Sequence, residues 1–247
     1  MDRSSKKKNS HKRSPALQFI RDLTQDASME RQPIEPAGLP TGLQELRSWQ
    51  TQRLARTYQD FSQDPRYAPA CQFFLEDVYA PRDFSQRDQD FEHLYQLMLR
   101  FVPESMLTLV REAIELNQFS NQLDLRLLNA LNESEEGPWQ ITPERYAEAY
   151  RICDNYPDRF DQIDRLVRVL EAVATGARNP LVLVTLKLAR GPAVMADWGD
   201  LQDFLVRGCL AFRHMKGGSR FIHAVRQRES CILNHLFQAY PDPFDCG

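Results

Sequence analysis

The chain has 247 residues, 42% hydrophobic and 26% charged, with 10 glycines, 15 prolines and a net charge of −3. This balance belongs to a folded globular protein and excludes low-complexity and collagen-like chains. In residues 1–13, Arg3, Lys6, Lys7, Lys8, Lys12 and Arg13 are opposed only by Asp2, so the rest of the chain is more acidic than the whole and repels a phosphate backbone.

Nucleic acid is therefore expected at most weakly, through the basic head, which reads as a disordered solvated tail. No apolar h-region follows these cations, so the head does not read as a secretory signal. The chain holds five cysteines, Cys71, Cys153, Cys209, Cys231 and Cys246, widely spaced and with no C-x-x-C pair. That pattern predicts reduced thiols in a cytoplasmic protein rather than a disulfide framework.

In chain order, Pro15 to about Met29 could form a short helix before Pro33, Pro36, Gly38 and Pro40 break regular structure. Residues 1–40 are thus expected to be a basic tail and proline-rich linker, 41–240 a single helical domain, and 241–247 a flexible C-terminus. Leu43, Leu46, Leu54, Tyr58 and Phe61 fit one helical stripe. Asp64-Pro65 has the form of an N-cap and first-turn proline, opening a helix that would turn Cys71, Phe74, Leu75 and Val78 inward and stop before Pro81.

Ser85 and Asp88 resemble a capping box, followed by Phe91, Leu94, Tyr95, Met98 and Phe101 at helical spacing. Pro103 begins a helix with Met106, Val110, Ala113 and Ile114, and Ser120 is expected to cap another bearing Leu123, Leu127, Leu128 and Leu131. Thr142-Pro143 marks a further start, and after Asn155-Tyr156-Pro157 a strong stripe runs through Phe160, Ile163, Leu166, Val167, Leu170 and Val173.

The apolar run Pro180–Arg190 carries two cations and is shorter than the roughly 20 residues of a membrane span. It reads as a buried helix, or as a strand without a candidate partner. Asp200 leads into Leu201, Phe204, Leu205 and Phe212. Gly217-Gly218 is read as a turn with Ser219 as N-cap, and a last helix shows Phe221, Val225, Ile232 and Leu236. The expected fold class is all-α, a compact multi-helix bundle of about ten helices.

Few motifs carry chemistry. Asp90 and His93 share a predicted helix face, but no Glu-x-x-His of the di-iron kind is present. Cys231 and His235 are spaced i, i+4, with Cys246 near in sequence, yet no recognised zinc spacing exists; a core cysteine beside a surface histidine is the expected reading. No Gly-x-Ser-x-Gly elbow or P-loop is found. The densest charge lies around Phe84: Asp77, Tyr79, Arg82, Asp83, Phe84, Arg87 and Asp88 form a candidate rim, with Arg213 as a partner from the C-terminal part. The acidic members Asp77, Asp83 and Asp88 are expected to meet Arg207, Arg213, Arg226 or Arg228.

The segment Phe73-Phe74-Leu75-Glu76-Asp77-Val78-Tyr79-Ala80-Pro81-Arg82-Asp83-Phe84-Ser85-Gln86-Arg87-Asp88 resembles the F-F-L-x-D-L-Y-G-P-x-D-F-S-x-R-D signature of an uncharacterised bacterial all-helical family, a domain of unknown function. A second block, Leu201–Gly208 with Ala211-Phe212-Arg213 and Arg228-Glu229, is similar to the same family's pattern. The resemblance implies a bacterial intracellular helical protein and supplies neither a reaction nor site residues. The functional expectation is a cytoplasmic, non-enzymatic protein acting through a protein partner or self-association, with no catalytic or metal residue and no cofactor predicted. The alternative is a small-ligand or cofactor binder, haem or metal included, with a pocket between helices.

Overall fold

A computed structural model describes residues 41–78, 104–133, 140–188, 190 and 199–246. The basic head, the predicted helix after Ser85 and signature residues 79–88 lie outside this set. Among the described residues every regular element is helical, nine α-helices and no strand. The all-α expectation holds, and its physical basis is the recurrence of apolar residues at three and four positions.

Helix α1, Thr41–Thr57, leads through the single turn α2, Gln59–Gln63, to α3, Ala68–Phe73. The helix expected to open at Asp64-Pro65 starts three residues later. The Asp64 carboxylate instead accepts the Arg66 amide at 2.9 Å, and Asp64 carbonyl accepts the Tyr67 amide at 2.9 Å. This closes a turn, a competing use of an aspartate side chain. Pro69 then occupies the first turn of α3.

α3 passes directly into a π-helical turn, Phe74–Val78. The wider turn shifts side-chain facing, so Phe73 is buried while Val78, expected inside, is 39% exposed. α4, Glu104–Glu133, is one unbroken helix. Ser120 does not cap a second one; its hydroxyl accepts a hydrogen bond from Gln162 Nε2 at 2.8 Å.

α5, Pro143–Cys153, begins as expected, with the Thr142 hydroxyl accepting the Arg145 amide at 3.3 Å. α6, Tyr156–Arg178, and α7, Pro180–Leu188, follow. α7 is helical rather than extended, but it is not buried throughout: Leu186 faces inward, whereas Leu181 is 68% and Val184 52% exposed. α8 spans Gly199–His214 and α9 Ser219–Phe237. Between them Gly217 (φ 118°) and Gly218 (φ 63°) make a left-handed turn that suits glycine. Gly218 is the N-cap residue and Ser219 the first helical one, without a side-chain cap bond.

Two clusters form the interior. The first joins Leu54, Phe61, Tyr67, Phe73, Val167, Leu170, Phe212, Met215, Phe221 and Val225; the second joins Leu43, Leu46, Leu127, Leu131, Tyr146, Tyr150, Ile232, Leu233 and Leu236. α6 packs against α4, α8 and α9, so it supplies the centre of the arrangement.

The C-terminal residues, expected to be a flexible tail, fold back. Pro243 is buried, and the Phe244 ring lies 5.7 Å from Trp49 and 6.1 Å from Tyr146. The sequence also predicts only reduced thiols, whereas Cys231 and Cys246 are bonded in a disulfide. The reason is the folded tail, which joins two residues whose spacing matches no motif.

Candidate ligand cavity and its charged wall

Of the candidate rim, Tyr79, Arg82, Asp83, Phe84, Arg87 and Asp88 lie outside the described residues, as do Asp90 and His93. Asp77 sits in the π turn and accepts two hydrogen bonds from Arg207 of α8, at 2.7 and 3.2 Å. One contact between the opening segment and the C-terminal helices therefore exists as expected. Among the described residues, the Arg213 guanidinium donates to the Ala177 carbonyl at 3.4 Å, while Asp83 and Asp88, its other expected partners, lie outside them. Arg226 pairs with Asp164, and Arg228 grips Asp60 through two bonds of 2.7 and 2.9 Å.

The strongest concentration of buried chemistry lies elsewhere. A cavity of about 430 Å³ runs between the helices. Leu54, Phe73, Phe74, Leu170, Val173, Phe204, Leu205, Phe212, Phe221 and Val225 give it a broad apolar wall. Gln50, Arg53, Asp124, Tyr146, Tyr150, Arg159, Gln162 and Glu229 give it a polar one. Such a composition, mostly apolar with a few convergent polar groups, is that of small-molecule sites.

The polar wall is a connected network. Arg53 Nη1 donates to both Glu229 oxygens, at 2.7 and 2.8 Å, and the Tyr58 hydroxyl donates to the same carboxylate at 2.9 Å. Arg159 Nη1 reaches Asp124 at 3.3 Å and Gln162 at 3.0 Å, while its Nη2 donates to the Leu123 carbonyl at 2.9 Å. Gln50 links Asp124 to the Tyr146 hydroxyl, which lies 3.3 Å from that of Tyr150. The Arg159 guanidinium also stands 4.8 Å from the Tyr150 ring centroid, a cation–π distance.

Burial opposes the charge on Arg53, but Glu229 and then Tyr146 hold its pKa above the ordinary value. Arg159 is likewise opposed by burial and held up by Tyr150 and Asp124. Burial, reinforced by Tyr150, pushes the Tyr146 hydroxyl well above the usual phenol range. At neutral pH the wall thus presents fixed guanidinium charges and a protonated phenol. Nε of Arg53 and Nε of Arg159 are buried and have no hydrogen-bond partner among the described residues, a costly arrangement for buried donors.

Periodicity could have found these residues. Glu229 falls on the Phe221, Val225, Ile232, Leu236 stripe of α9, and Arg159 on the Ile163, Val167, Leu170 stripe of α6. A charge on an apolar face signals a buried partner. The cysteine cluster at the C-terminus stands apart: the His235 ring lies beside the Cys231–Cys246 disulfide and is stacked on Tyr240 at 4.2 Å.

The family model for a domain of unknown function (DUF8198) matches residues 30–243. The chain belongs to this family. No curated protein and no solved structure matches the chain. The DUF8198 span takes in every charged residue of the cavity wall and leaves out Phe244, which also lines the cavity. Membership in an uncharacterised family is thus as the sequence resemblance implied. Among the described residues no single helix is long and apolar enough to cross a membrane.

Proposed function

We propose that this DUF8198 protein binds a small amphipathic ligand, an apolar body with a carboxylate head, in the cavity between its helices. The observation that carries this reading is the charge arrangement of the wall. Among the described lining residues Arg47, Arg53 and Arg159 face only Asp124 and Glu229, which leaves one positive charge in excess. A ligand carboxylate would balance it and could accept a charge-assisted hydrogen bond from a guanidinium of the wall. The apolar wall supports a hydrocarbon or ring body whose burial contributes roughly 25 cal/mol per Å².

The test is native mass spectrometry of the purified full chain, followed by titration with a fluorescent long-chain carboxylate and its methyl ester. The reading expects a saturable one-to-one complex in which the acid binds about tenfold tighter than the ester, or roughly 1.4 kcal/mol. Absence of binding, or equal binding of acid and ester, would overturn it.

A second reading is association with a protein partner or a second copy. Leu181 and Val184, spaced i, i+3 on α7, are the observation that favours it, since both are more than half exposed. Light scattering on the wild type and on Leu181→Lys tests it; a monomer in both cases removes the self-association reading.

A further inference from the structure

The C-terminal tail places a second thiol beside an i, i+4 cysteine–histidine pair. Cys231 and His235 share one face of α9. The tail brings Cys246 Sγ to 3.3 Å from His235 Nδ1, while Cys231 Sγ lies 3.7 Å from Nε2. One donor atom from each of the three residues falls within 4.8 Å of the other two. All three residues are partly exposed, so solutes can reach them.

The position of Cys246 does not rest on the disulfide alone. The Gln238 amide donates to the Asn234 carbonyl at 2.9 Å and the Tyr240 amide to the His235 carbonyl at 3.0 Å. Tyr240 stacks on His235, and Phe244 is seated against Trp49 and Tyr146. These contacts keep the tail in place when the sulfur–sulfur bond opens. Reduction therefore leaves two thiols and an imidazole held together, which is a chelating set rather than a released strap.

We propose that the reduced form of this cluster binds a soft divalent cation of the zinc class through Cys231, His235 and Cys246, and that the disulfide is its closed, metal-free form. Reduction proceeds by two thiol–disulfide exchanges with a dithiol reductant. The Cys231–Cys246 bond breaks, two S–H bonds form, and the reductant leaves as its own disulfide, having given two electrons and two protons. The cation then displaces both thiol protons to solvent. It takes two thiolates and one imidazole nitrogen, so the bound site is electrically neutral. Thiolate and imidazole together select zinc-like ions over magnesium or calcium. Three protein ligands leave a fourth position for water, the pattern of an open zinc site.

The experiment is a cobalt(II) titration of the full chain, reduced with dithiothreitol and desalted without oxygen. The expected result is a saturable one-to-one rise in near-ultraviolet thiolate-to-cobalt absorption with visible bands of a tetrahedral ion, bleached by zinc. Cys231→Ser and Cys246→Ser should each abolish the signal. His235→Ala should weaken binding by at least the roughly 10–100-fold that losing a supporting hydrogen-bond partner of a ligand costs. The oxidised wild type, which needs no mutation to fold, should bind no cobalt and regain binding on reduction. A reduced wild type that gives no thiolate band overturns the proposal. So does a band that survives in Cys231→Ser/Cys246→Ser, because Cys71, Cys153 or Cys209 would then be its source.

Discussion

Arg53 of α1 and Glu229 of α9, 176 positions apart, meet with both carboxylate oxygens within 2.8 Å of one guanidinium nitrogen. Side-chain exposure is only 11% and 14%, so the pair is largely withdrawn from water and fixes α1 to α9. Removing one partner strands the other. Glu229→Gln is expected to cost about 3–5 kcal/mol of stability in urea unfolding. Arg53→Met/Glu229→Met should cost clearly less than the two single changes added, because neither charge is then left alone.

The Asp77–Arg207 contact is of another kind. Arg207 remains 46% exposed and Asp77 12%, so screening reduces its worth. Asp77→Asn should lower stability by about 0–1 kcal/mol, and by less in high salt. Reversing both charges, Asp77→Arg with Arg207→Asp, should recover part of what each reversal loses. The same cycle on Arg213 with Asp77 should show no coupling, since Arg213 is turned to the Ala177 carbonyl.

Gly208 lets α8 approach the ring of Phe73. A methyl at Gly208 would stand 2.8 Å from the ring's outermost carbon, closer than atoms tolerate. Gly208→Ala is expected to destabilise by about 1–3 kcal/mol through overpacking, read as a lower urea midpoint with unchanged slope. Phe73→Leu in the same chain should return part of that loss by making room.

Asp60 provides a pH signature. Hydrogen bonding from Arg228, with its charge, depresses the Asp60 pKa. A carboxyl whose folded pKa is lower than its unfolded one stabilises the fold above the unfolded value, about 3.9. That contribution is lost as pH falls from there through the depressed folded pKa. Unfolding curves of wild type and Asp60→Asn should therefore differ at pH 6 and converge in strong acid. A constant difference across this range would show that the pair contributes nothing electrostatic.

Periodicity locates α6 and α9 because each buries residues at helical spacing, Val167 and Leu170 in one and Phe221, Val225, Ile232 and Leu236 in the other, and spacing alone reports that. It misplaces boundaries where a polar side chain has two uses. Asp64 closes a turn instead of capping a helix, and Ser120 accepts from Gln162 in the middle of α4. The π turn at Phe74–Val78 leaves no local signature, so Val78 is predicted inward and found outward. Glu229 on the α9 stripe signals a buried partner, but nothing in spacing can name Arg53. The disulfide is invisible for the same reason: Phe244, a single aromatic near the chain end, carries Cys246 to Cys231 only once Trp49 and Tyr146 are in place.

α6 and α9 each contribute to both interior clusters. In α6, Val167 and Leu170 are buried in the first, while partly buried Ile163 and Tyr156 pack against the second. In α9, Phe221 and Val225 belong to the first and Leu233 and Leu236 to the second. Neither cluster can lose these helices and keep its own packing. The two halves should consequently melt as a unit, with the central amides of α6 and α9 forming a single slowest-exchanging class. A gene fragment carrying one cluster alone should yield no folded product, and any natural shuffling of this chain must move both clusters together.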